Sequence, residues 1–474
     1  MPAVPSITIQ EALTDIEQQF WLDEQALKDI SRRFQELFHY GLANHGAEMA
    51  MIPTFVTGVP DGTETGTYLA LDLGGTNLRV CEINLDGKGG FTMKQEKYKV
   101  SDALKRGPAK DLFDYMARSV DTFLTDYGTS SSDDELLMGF TFSFPVEQTA
   151  IDKGTLIHWT KGFDCPDAPG KDVVKLLQDA LDRKHIKVRV NALVNDTVGA
   201  LLARGYQTSG ALLGAIFGTG TNGAYLEDIT KVKKLNLPSG GPSHMVINTE
   251  WGGMDDERKV LPVTIFDNYV DRKSIRQRNH VFEKMISGMY LGEVARAVLT
   301  HLMDHLVLFK GFSSELFNTM YAFDTAYMSA IEADEEPASS PNCATRKVLI
   351  ETMKVPAEHV SDEDVETVRK VCRIVGTRAA RLSAVAVAAV LDHTGNAQSK
   401  STDDQGANVG VDGSVIEFYP HFEERLREAL RILLGEQGEK RVKIGLAKDG
   451  SGVGAALGAL QAFKQEQSGH RVEI

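Results

Sequence analysis

Apolar residues recur at helical spacing from about Ile9 to Tyr40, with acids and lysines between them, which predicts amphipathic helices. The pattern breaks at Met51 to Gly66, where Pro, Gly and Thr predict irregular chain leading into a first lobe. Thr67 to Val80, Cys81 to Leu85 and Phe91 to Val100 then alternate or run apolar around turns such as Asp86-Gly87, as a strand meander does. A helix is expected over Asp111 to Tyr127, a Ser-rich loop over Thr129 to Asp133, and a buried strand over Leu136 to Pro145.

The strand-like VRVNALV (Val188 to Val194) runs into Asn195-Asp196-Thr197 and a helix-like VGALLARGY, which reads as a lobe junction. A strand–turn–strand theme returns at Leu212 to Leu226, and Phe282 to Leu391 is mostly helical in pattern. Polar stretches at Glu332 to Asn342 and Asn396 to Asn408 read as surface loops. A last strand is expected over Val409 to Tyr419, around the Asp412-Gly413 turn, and a glycine turn opens an alanine-rich helix between Gly445 and Phe463. Strands and helices alternate in both halves, so the fold class is α/β with two lobes. A length of 474 residues, too long for one ordinary core, agrees.

One glycine turn occurs twice, each time after an apolar run: TYLALDLGGTNLRV (Thr67 to Val80) and GAIFGTGTNGAYLE (Gly214 to Glu227). Where a strand ends, missing Cβ atoms let backbone N–H groups approach an oxyanion, and threonine hydroxyls add donors. Two such turns predict a duplicated phosphate-binding architecture with a nucleotide held between the halves. The net charge of −15 argues against nucleic acid or an anionic membrane as main partner, and no membrane-targeting pattern is present. The most apolar later stretch, Ala384 to Leu391, is far short of a span and follows Arg373, Arg378 and Arg381. Cys81, Cys165, Cys343 and Cys372 are scattered without a CxxC pair, which suits a reduced, cytoplasmic interior.

Individual motifs each have a plainer reading. No GxxxxGK[ST] occurs. Gly218, Gly220 and Gly223 satisfy GxGxxG, but AYLE after them reads as a strand and no acid sits about 20 residues on, against a dinucleotide fold. His301 and His305 share a helix face without a metalloprotease glutamate, so they read as packed histidines. Asp72 either shapes its turn or holds Mg²⁺ through water near phosphates. Asn195-Asp196 is a helix N-cap or a site pair, Thr160-Lys161 an exposed loop or a site pair. Glu250 is a turn acid and Glu283 a solvated helix face, unless they join the others around a polyhydroxylated substrate.

The segments LDLGGTNLRV, GFTFSFPVEQTAIDKGTLIHWTKGF, VNDTVGALL, FGTGTNGAYLE, INTEWG, FEKMISGMYLGE, VDGSV and KDGSGVGAAL together resemble the hexokinase family, in its order and over nearly the whole chain. The wording is most similar to fungal glucokinases. The resemblance implies an actin-like (ribonuclease H-like) fold of two α/β lobes around a deep cleft. It implies an N-terminal part over 9–196, with a small lobe from about 66 preceded by helices packing on the large lobe. The C-terminal part, 197–465, would send its last helix back to the small lobe.

It further implies a sugar site of Ser143, Thr160, Lys161, Asn195, Asp196, Asn222, Glu250 and Glu283, with Asp196 as catalytic base and Lys161 assisting. Asp72, Gly74, Gly75, Thr76, Asn77 and Arg79 match the first phosphate segment, and Gly218, Thr219 and Gly220 the second. Gly410, Asp412, Gly413 and Ser414 fall on the adenosine side, with Gly450 and Ser451 near the inter-lobe connection. Lys97 resembles a lysine of fungal members linked to ATP. The implied reaction is ATP- and Mg²⁺-dependent phosphorylation of the 6-hydroxyl of glucose, with mannose or fructose as further candidates, by a cytoplasmic monomer or homodimer at the first step of glycolysis. A glucose sensor without turnover, or an actin-like assembling ATPase, are the rival readings. A pure ATPase has no use for a polyol site.

Overall fold

The computed structural model describes residues 7–75, 77–128, 135–160, 162–236, 241–398, 406–447, 449–469 and 471–474. The expected loop over Thr129 to Asp133 lies outside these residues, as do the site candidates Thr76 and Lys161.

Two mixed sheets organise the chain, and they repeat one topology. In the first, Thr65–Leu73 pairs antiparallel with Asn77–Asp86, which pairs antiparallel with Phe91–Lys99. On its other side Thr65–Leu73 runs parallel to Leu136–Phe142, and that strand parallel to Val188–Val194. In the second, Leu213–Phe217 pairs antiparallel with Thr221–Asp228, and that strand with His244–Asn248. On its other side Leu213–Phe217 runs parallel to Ala407–Asp412, and that strand parallel to Val442–Leu446. Counting strands within each half, both orders are 3-2-1-4-5, with Ile52–Pro53 added at the edge of the second sheet. The two glycine turns are the same turn: the hairpin between strands 1 and 2 of each half.

Alternation along strands divides the small-lobe core. Leu69, Leu71 and Leu73 point into a cluster with Phe113, Met116 and Leu177, from helices Ala109–Tyr127 and Val173–Asp182. Tyr68 and Ala70 face the other way, into the larger core. There helix Gly450–Ser468 packs across four small-lobe strands and against helix Asp196–Thr208. The two helices cross through glycines: a Cβ added at Gly454 would lie 2.1 Å from the Gly199 Cα, and one at Gly199 2.6 Å from the Gly450 carbonyl oxygen. Helix Ile9–Phe20 opens on a capping box between Thr8 and Glu11, and Glu24–Ala43 on an Asp23 N-cap. Both pack against helix Asp362–His393. That helix is long and apolar enough to cross a membrane, but 94% of its apolar window is buried inside the protein, so it is a core helix.

Three expectations need correction. The strand expected over Val409 to Tyr419 stops at Asp412, and Ser414–Phe418 is helical. Gly413 adopts φ 117°, and a Cβ there would sit 2.6 Å from the Gly218 nitrogen, so the chain turns where the two backbones touch. It is also not the last strand, since Val442–Leu446 follows as a five-residue edge. The expected loops are shorter than their polarity suggested: Glu332 ends helix Thr325–Glu332, and Ala407 and Asn408 already belong to a strand. As expected, His301 packs edge-on against Phe266 and lies 4.2 Å from the His305 ring. Among the described residues no metal-ligating cluster forms.

Candidate active site

Ligands of open α/β sheets collect where parallel strands end. Here Asp72 is the penultimate residue of Thr65–Leu73, Ser143 follows Phe142, and Asn195 and Asp196 follow Val194. Gly218 follows Phe217, Asp412 ends its strand, and Gly450 and Ser451 lie just past Leu446. Thus the strand ends of both sheets supply these candidates, while Thr160 comes from a loop and Glu283 from helix Val281–Ile286.

Asn195 is the N-cap of helix Asp196–Thr208: its Oδ1 accepts from the Thr197 N–H at 3.0 Å and the Thr197 hydroxyl at 2.7 Å. The plain reading of Asn195 was therefore right, and it holds Asp196 at the first helical position. Asp196 Oδ1 accepts from the Thr197 N–H at 2.9 Å, at a helix N-terminus that favours negative charge. Asn195 and Glu250 line one small cavity with Asn248, Phe142, Phe144, Pro145 and Val146, joining strand ends of both sheets; Ser143 lies between two of these residues but does not line the cavity. Thr160 sits on a loop pinned by aromatic packing: Trp159 stacks on Phe163 at 5.5 Å and donates to the Cys165 carbonyl at 2.9 Å.

On the large-lobe side, the Asn222 amide donates to Asn248 Oδ1 at 2.7 Å and to Glu250 Oε1 at 3.3 Å, while the Asn248 amide donates to Glu250 Oε1 at 2.7 Å. Glu283 accepts from the Thr221 N–H at 3.0 Å, and a Cβ on Gly220 would meet its Oε2 at 2.7 Å. Glu283 thus belongs to the second glycine turn rather than to a solvated face. Glu250 is both turn acid and site residue, with φ 53°.

The second turn is braced from below. The Gly288 and Met289 N–H groups, opening helix Gly288–Asp304, donate to the Gly218 and Thr219 carbonyls at 2.8 and 3.2 Å. Gly413 touches its far side, so Asp412, Gly413 and Ser414 adjoin the second turn. Gly410 sits lower, against the Ala200 carbonyl of the junction helix. At the first turn the Gly74 N–H donates to the Asn77 carbonyl at 3.0 Å, closing the hairpin around Gly75. Arg79 lies opposite Asp72 in register, donates to it at 3.1 Å and to Asp449 at 3.2 Å, and also bonds the Ser451 hydroxyl. Ser451 in turn donates to Asp72 at 2.9 Å. Arg79 thereby ties the first turn to the start of the last helix. Lys97 pairs with Arg79 on the outer strand and is exposed.

The cleft is crowded with carboxylates. Burial pushes the Glu250 carboxyl above its ordinary range; the Asn248 amide and His280 oppose this, and Asp196 and Glu283 add to it. Burial also raises Asp412, which feels Asp196 and, in the other direction, Arg79. Such a site needs cationic help to receive phosphates. The donors fit Mg²⁺, which is commonly held by one or two carboxylates plus phosphate and water. Asp72, at the end of its strand beside the first glycine turn, would hold it.

Three contributing residues escaped the sequence reading: Asn248, Asp449 and His280. Asn248 and Asp449 lie inside segments already quoted, INTEWG and KDGSG, but an amide or acid at a strand end has no pattern of its own. His280 Nδ1 lies 3.7 Å from Glu283 Oε1, and contact with Glu283 raises its pKa, with Glu250 adding to the rise. A raised histidine stabilises the folded site at pH values below its unfolded pKa, and that contribution is lost as pH rises through the folded one. With His280 charged, Glu250 stays ionised to lower pH. His280→Gln is therefore expected to move the acid limb of the kcat/KM profile to higher pH; an unmoved limb would exclude this coupling.

Hexokinase family profiles match residues 12–206 and 212–461. The chain belongs to the hexokinase family. A glucokinase of Aspergillus niger is 43% identical over 465 residues, covering 90% of this chain and 92% of the relative. A hexokinase of Emericella nidulans is 39% identical over 100% of this chain and 95% of its own length. The structure of a Schistosoma mansoni hexokinase complexed with glucose superposes with a TM-score of 0.82 at 34% identity, over 96% of this chain and 99% of that one. This hexokinase is accordingly a hexose kinase that uses ATP, built on the two-lobed sugar-kinase fold.

Proposed function

We propose that this hexokinase transfers the γ-phosphoryl group of ATP to the 6-hydroxyl of glucose, as a cytoplasmic enzyme opening glycolysis, with Asp196 as catalytic base. The observation that carries the proposal is the convergence of Asn195, Asn248 and Glu250 on one cavity, beside Asp196 at its helix terminus. A sugar hydroxyl is far too weak an acid to ionise near neutral pH, so Asp196 orients it and takes its proton as the bond to phosphorus forms. Glu250 and Glu283 accept hydrogen bonds from sugar hydroxyls on one side, and Ser143 and Thr160 contribute from the other, with Lys161 assigned beside them by the family resemblance. The turns at Gly74-Gly75 and Gly218 to Gly220 receive phosphate oxygens. When bound, Mg²⁺ supplies charge neutralisation to the phosphates.

Water is also a nucleophile, and an open cleft would hydrolyse ATP. Contacts to sugar from both lobes favour closure, which assembles the site only around its substrate. Mannose and fructose carry enough of the same hydroxyls to be tried as substrates.

Glu250→Ala removes a charged acceptor, a loss of about 1.5–3 kcal/mol, so the sugar KM is expected to rise about 10- to 100-fold. Kinetics of parent and variant on glucose, mannose and fructose check this. An unchanged KM for all three would remove Glu250 from the sugar site.

A further inference from the structure

Helix Asp362–His393 carries a second patch of chemistry that sugar phosphorylation does not use. Lys370, Arg373, Thr377 and Arg381 recur at spacings of three and four and so share one face. With Arg369 and Arg378 they line a pocket of about 530 Å³, completed by Glu17, Phe20 and Trp21 of the first helix and its end. In a chain of net charge −15, this pocket gathers five cationic side chains against Glu17 and Glu366.

Three of those cations are already neutralised. Arg378 forms a two-pronged pair with Asp267 at 2.7 and 2.6 Å; Arg369 bonds Asp334 at 2.7 Å and Glu366 at 2.8 Å; Lys370 pairs with Glu17 at 2.8 Å. Two are not. Arg373 is exposed and makes no ion pair or hydrogen bond among the described residues. Arg381 is 5% exposed, donates to the Leu22 carbonyl at 2.7 Å, lies 4.6 Å over the Trp21 ring and has a buried Nε without acceptor. Burial presses its pKa down, and Glu428 and Asp23 offset this only through space. A buried cation without an anion is costly, and an anion held in the pocket would offset that cost.

We propose that this pocket is a second ligand site, which binds a phosphate-bearing small molecule through the guanidinium groups of Arg381 and Arg373. Guanidinium forks match phosphate oxygens, and the Thr377 hydroxyl stands between the two arginines. Eight residues of helix separate them by about 12 Å along the axis, which suits a chain of phosphates or one phosphate on an extended body. The volume is that of a small-molecule site. None of the residues that line it belongs to the catalytic cleft. Inorganic polyphosphate, a nucleotide and a sugar phosphate share the required group.

The test is titration of the whole enzyme with inorganic tripolyphosphate, by calorimetry and by the fluorescence of Trp21, assigned with Trp21→Phe. Parallel titrations with ATP and glucose 6-phosphate distinguish the sources through the component of binding sensitive to Arg373. The expected result is saturable binding, weakened by added salt, weakened about tenfold or more by Arg373→Glu and less by Arg373→Gln. Because Arg373 is exposed and unpaired, both variants keep the parent kcat and KM for glucose. Absence of saturable binding, or equal affinity in parent and Arg373→Glu, would overturn the proposal.

Discussion

Asp196→Asn is expected to lower turnover by about 10²–10⁴-fold while glucose still binds. The asparagine keeps the size and the helix-terminal position, where Oδ1 accepts from the Thr197 N–H, but it cannot take a proton. Most of the remaining acceleration comes from positioning and from charge stabilisation around the phosphates, so the variant is slow without being inert. Steady-state kcat and a glucose titration by tryptophan fluorescence separate the two effects. A variant that retains kcat within about tenfold of the parent would show that another group removes the proton.

Gly454→Ala is the second large effect, and its sign is informative. At an ordinary helix-interior glycine, alanine stabilises by about 0.5–1 kcal/mol. At Gly454 the new methyl would lie 2.1 Å from the Gly199 Cα and 2.4 Å from its carbonyl oxygen, both backbone atoms that no rotamer change can move. Overpacking of this kind costs about 1–3 kcal/mol or more, so thermal unfolding should shift down by several degrees. The affected contact joins the helix that follows Val194 to the one that packs on the small lobe. A raised melting temperature would mean that the helices part easily and that their crossing is not a tight contact.

Which features could be read from the chain follows from the range of the forces involved. The glycine turns were legible because an apolar strand, a turn without Cβ atoms and a second strand are neighbours in sequence. Their equivalence needed the sheets, since only strand order reveals that both lie between strands 1 and 2 of a 3-2-1-4-5 arrangement. Val415 and Ile416 are buried side by side with Tyr419, a helical rhythm too short to stand out from the preceding strand, so Val409 to Tyr419 read as one element. Val442–Leu446 is short and follows a charged helix end, which hid it.

The site divides in the same way. Asp72, Asn195, Asp196, Asn222 and Glu250 lie in segments of distinctive wording. Arg79 was placed with the phosphate turn by resemblance, yet its bonds to Asp449 and Ser451 span 370 and 372 positions, and no local pattern encodes them. His280 depends on a similar accident of folding: its left-handed backbone, φ 56°, brings the ring beside Glu283. The cationic stripe on helix Asp362–His393 was visible as three arginines, but not its pocket, which needs the first helix across it.

The most direct test is to incubate the purified enzyme with Mg²⁺ and γ-labelled ATP, with and without glucose, and to follow the label. The account predicts label on the 6-hydroxyl of glucose and far slower release of labelled phosphate when the sugar is omitted. Rapid ATP hydrolysis that ignores glucose, or glucose binding with no labelled sugar formed, would contradict it.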